Sequence, residues 1–185
     1  VHNLEDILIM EEMYEVRKKR KTNNYNEIRI IDTCNEIFNK INYLTKNNTN
    51  ESKIKIITDI LIKKYSIEDL FNFISHFGME IYPKKLKYSI GYKFDSNLFM
   101  IIRNINKYIS KNNYFEKTDE LYGNTLLLIS ASCWDPYRVR ELLQEGYDIN
   151  KINKNGDTIL HIVCRGSFTD VFDEINYKIN KIYYD

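Results

Sequence analysis

Apolar residues recur at helical spacing in block after block of this chain. Leu4, Ile7, Leu8 and Met13 predict a first helix that ends in the basic run Arg17-Lys18-Lys19-Arg20-Lys21, where cations complement the helix dipole. Ile28, Ile31, Cys34, Phe38, Ile41 and Leu44 form one stripe of a second long helix, closed by the polar stretch TKNNTNES. Ile54, Ile57, Ile60 and Leu61 mark a third. Ser66, with Asp69 three residues on, opens a fourth from Ile67 to Phe77, stopped by Gly78. From Lys85 to Phe94 the period changes to two, through Leu86, Tyr88, Ile90, Tyr92 and Phe94, which fits a strand or an irregular ordered loop. Ser96 then caps the segment NLFMIIRNINKYISK, and NNYFEKTDE separates it from the last third of the chain.

In that last third the chain repeats itself. Gly123-Asn124-Thr125 and Gly156-Asp157-Thr158 are each preceded by a turn-rich polar stretch and followed by an apolar run, at a spacing in the range of the helical repeat families. Between them Asp135 can cap a helix with Pro136 in its first turn, Leu142 and Leu143 form its buried ridge, and Gly146 ends it.

These positions resemble the ankyrin-repeat family. Gly123, Thr125, Leu127, Ala131, Val139, Leu142, Leu143, Gly146, Asp148 and Asn150 match its pattern in a first unit; Gly156, Thr158, Leu160 and His161 match in a second, with Cys164 where a small residue is usual. Leu126 and Ile159 replace the motif proline and Leu128 the first histidine, and the second unit lacks the Leu-Leu-x-x-Gly ending. That unit is a terminal cap or an incomplete repeat, and the lysines and asparagines of DEINYKINKIYYD suit the polar outer face of a cap. A weaker echo sets Gly78-Met79-Glu80-Ile81 against Gly146-Tyr147-Asp148-Ile149, which would place degenerate repeats in the middle of the chain. The expected fold is therefore all-α. It comprises an N-terminal helical segment (1–50), a helical region of degenerate repeats (51–118) and an ankyrin-type helical solenoid (119–185).

The resemblance implies protein–protein binding through hairpin tips and a concave helix face. The family's variable, exposed positions fall on Leu121, Tyr122, Asn124, Ser132 and Cys133, and on Ile152, Lys154, Asn155, Asp157 and Arg165. Tyr122 and Arg165 stand out as the residue types that dominate interface energies. It also implies structural roles for Thr158 and His161, bonded to backbone at a helix start. Cys164 is expected as a small core residue rather than a nucleophile or zinc ligand, since a zinc site needs about four ligands.

Composition narrows the alternatives. With 27 basic and 26 acidic side chains there is no global field to attract nucleic acid or anionic lipid. The alternative reading is nucleic-acid association through the Arg17–Lys21 run, which also resembles a nuclear-import signal; the glutamates around it, Glu11, Glu12 and Glu15, oppose both. Fifteen tyrosines are scattered rather than grouped as a stacking platform. His76 is expected as a packing residue, and Trp134 either closes a groove between helices or stands exposed. The three cysteines lack paired spacing, which points to a reducing, intracellular setting, cytoplasmic or nuclear. The wealth of Asn, Ile, Lys and Tyr suits AT-rich coding, as in many large DNA viruses, where the setting would be the host cell. No membrane-length apolar run, phosphate loop or nucleophile elbow is found, so neither a cofactor nor catalysis is expected.

Overall fold

The structure, a computed structural model, describes residues 4–47, 49–82 and 96–166. Among these, all regular structure is helical: α1 (Leu4–Leu44), α2 (Glu51–Lys64), α3 (Ile67–His76) with a π-helical turn at Phe77–Ile81, α4 (Ser96–Lys111), α5 (Leu126–Ser132), α6 (Pro136–Gln144) and α7 (Ile159–Gly166). The segment with a strand-like period, Lys85 to Phe94, and the C-terminal stretch read as a cap lie outside the described residues.

The two helices expected in the first 44 residues are one. No glycine or proline interrupts Leu4 to Leu44, and Thr22-Asn23-Asn24 is too weak a breaker to end a helix, so α1 continues for 41 residues, about 60 Å. The run Arg17–Lys21 therefore lies within a helix rather than at its C-terminus, and the dipole argument for it fails. The buried stripe of α1 is also rotated by about one residue from expectation. Ile30, Cys34, Ile37 and Ile41 are buried, whereas Ile28 is 52% exposed. Neighbouring apolar pairs such as Ile30-Ile31 and Ile37-Phe38 leave the face open until a partner helix selects it. On α2 Thr58 is buried while Ile60 is partly exposed; the hydroxyl of Thr58 donates to the Ile54 carbonyl at 2.9 Å, which satisfies it there.

Helix ends follow the local chemistry more closely. Asn50, Ser66, Thr125 and Asp135 each accept a hydrogen bond from the backbone N–H three residues on, and Pro136 occupies the first turn of α6. Gly146, at φ +97°, follows α6 in the left-handed region. Gly78 does not stop α3. The chain continues through it as the π-helical turn.

Packing runs along two lines. α1 packs on α3, α3 on α5 and α5 on α7; α2 packs on α4. α4 is bonded to α6 by Arg103 to Asp135, Asn106 to Arg138 and Lys107 to Glu141. One hydrophobic core extends from Ile30 to Val163, with an aromatic group of Phe38, Phe73, Tyr82 and Phe99 around Phe77. Gly78 falls within the π-helical turn that follows α3, whereas Gly146 follows α6 in the left-handed region. Asn113, which follows α4 with φ +62°, is after glycine the residue type best suited to that conformation.

Candidate interaction surface

Two hairpins project between the helices, at residues 119–124 and 153–157. Each is organised by one Asx side chain. The carboxylate of Asp119 accepts from the N–H groups of Tyr122 (2.7 Å) and Asn124 (2.8 Å); the Oδ1 of Asn153 accepts from those of Asn155 (2.9 Å) and Asp157 (3.0 Å). The first tip is one residue longer. Gly123 and Gly156 both hold positive φ, +67° and +76°. Gly123 is constrained twice, since a Cβ there would also stand 2.9 Å from Lys154 Cγ.

The hairpins are joined to one another and to α3. Lys154 donates its backbone N–H to the Tyr122 carbonyl at 2.9 Å, its ammonium group bonds the Glu120 carbonyl, and Asn153 Nδ2 donates to Asn124 Oδ1 at 3.0 Å. From α3, Asn72 Oδ1 accepts from the N–H groups of Glu120 and Leu121. The Ser75 hydroxyl donates to Asp119 at 2.8 Å and accepts from Asn124 Nδ2 at 3.0 Å. His76 stacks on Tyr122, with Nδ1 2.8 Å from the phenol oxygen. The chain from Ser75 through Asp119, Asn124 and Asn153 is buried, so each bond in it counts for more than at the surface. Burial raises the Asp119 carboxyl above its usual range despite the donors around it, and burial likewise raises the phenol of Tyr122. Sequence reasoning missed Asn72, Ser75, Asp119 and Asn153 as anchors. Asx residues a few positions before a turn glycine, and polar residues on an otherwise apolar helix, were the available signals.

Several residues expected to be exposed are not. Asn124 and Asp157 are buried in this hydrogen-bonded base, and Cys133 and Ser132 are covered by α3 and the π-helical turn. The Tyr122 side chain is only partly exposed, held by His76. Every residue of α5 is buried, so this helix offers no open concave face. Trp134 is half-buried against the core, in a left-handed backbone conformation at φ +56°. The opposite correction applies to Cys164, which is exposed: α7 buries Ile159, Ile162 and Val163, and Cys164 lies on its other side. His161 is exposed too. Its Nδ1 accepts from the Thr158 N–H at 3.1 Å and lies 2.8 Å from Thr158 Oγ1, in keeping with the bonded role expected at this helix start.

Open to solvent are the edge that includes Ile152, Lys154 and Asn155 and the outer side of α7, with Leu160, His161, Cys164 and Arg165. Arg165 is bonded to Asp157, which fixes its guanidinium beside the second tip. Among the described residues no group of three or more His, Cys, Asp or Glu side chains is placed to hold a metal, and no helix is long and apolar enough to cross a membrane. Compared with known proteins, the chain matches no family model, no curated protein and no solved structure.

Proposed function

We propose that this chain is a protein-binding scaffold of the ankyrin type, a helical solenoid that works by presenting a rigid surface and not by catalysis. The observation that carries the reading is the pair of equivalent hairpins. They share turn glycines, Asx anchors and Thr positions, they bond to each other through Lys154 and Tyr122, and they turn Ile152, Lys154 and Asn155 outward. Tips held by buried hydrogen bonds lose little conformational freedom when a partner docks, which favours affinity. The left-handed Asn113 before Gly146 supports extending the repeat spacing one unit towards the N-terminus.

The binding surface in this reading is narrower than the family pattern implies. The buried α5 withdraws the concave face of the first unit, and Asn124, Ser132 and Asp157 support the surface from beneath. Ile152, Lys154, Asn155 and Arg165 make the contacts, with the exposed edge of Tyr122 beside them. Free cysteines without paired spacing suit a reducing, intracellular setting.

A photo-crosslinking residue at Asn155 tests this, with one at Asn39 on the exposed side of α1 as comparison. Partner proteins crosslinked from position 155 and not from 39, and lost at least tenfold in the I152A/K154A/N155A/R165A variant, are the expected result. A partner that crosslinks equally from both positions and survives those substitutions overturns the assignment.

A further inference from the structure

We draw no further inference here: the strongest candidate, the exposed apolar side chains Tyr25, Ile28, Tyr43, Ile56 and Ile60 on the sides of α1 and α2 turned away from the core, has nothing in the structure to show what covers it.

Discussion

Gly78 lies so close to Ser132 that a Cβ on the glycine would stand 2.1 Å from the serine Oγ and 2.9 Å from Cys133 Sγ. This contact joins the π-helical turn to the C-terminal end of α5, and it explains why Ser132 and Cys133 are buried. Gly78→Ala is expected to destabilise the fold by about 1–3 kcal/mol through overpacking, read as a lower denaturation midpoint in urea. Adding Ser132→Gly removes the nearer clash and should recover part of the loss. A Gly78→Ala variant as stable as the parent would mean that the π-helical turn and α5 are not in this contact.

Asp119 links titration to folding. Burial raises its carboxyl above the ordinary 3.8, so the folded state holds the proton more tightly than the unfolded chain. The stability this contributes is full below the ordinary value and is lost as pH rises through the raised one. Asp119→Asn removes the titration and turns an amide donor towards Ser75 or Asn124, at a cost of about 1–3 kcal/mol. The stability gap between parent and variant should be widest below the ordinary carboxylate value of 3.8 and narrow as pH rises above it. Urea unfolding across that range checks it; a gap that widens with pH would reverse the assigned direction.

Asp135 has two tasks at the start of α6. Its Oδ1 accepts from the Arg138 N–H at 3.1 Å, and both oxygens take the Arg103 guanidinium at 2.7 Å. Asp135→Ala should cost about 1–2 kcal/mol for the cap alone, and more for the ion pair, which is largely shielded on the aspartate side. Asp135→Asn keeps the capping oxygen and should lose less. In a double-mutant cycle with Arg103→Met, a coupling above ~0.5 kcal/mol is expected. Additive effects would show that the pair does not tie α4 to α6.

Thiol reactivity separates the three cysteines. Cys164 is exposed, whereas burial pushes the Cys34 thiol up to about 12 and also raises that of Cys133, leaving little thiolate in either. Ellman's reagent should modify one thiol per native chain quickly and all three in denaturant. Cys164→Ser should abolish the fast phase. Two fast thiols in the native state would contradict the packing of α1 or α5.

Several helix starts and the turn glycines were legible in the sequence because they are decided within a few residues. Ser66 and Asp135 cap as their neighbours dictate, Gly146 adopts positive φ, and the matched glycines at 123 and 156 mark two turns of one kind. The all-helical character follows from the 3.6-residue period and the scarcity of glycine and proline. Which side of a helix is buried was not legible where two faces were equally apolar. Ile28 and Ile60 fitted the pattern and are exposed, while Ile30 and Thr58 are buried, because α3 and α4 settle the choice and lie far off in the chain. The same reason governs the surface. Exposure at Asn124, Ser132 and Asp157 depends on what lies against them, and here Ser75 of α3 and the π-helical turn lie against Asn124 and Ser132, while Asp157 is bonded by Asn153 and Arg165. Local sequence thus determined the helical character and several of the helix caps; only the tertiary structure decided which residues face water, because burial is a property of neighbours.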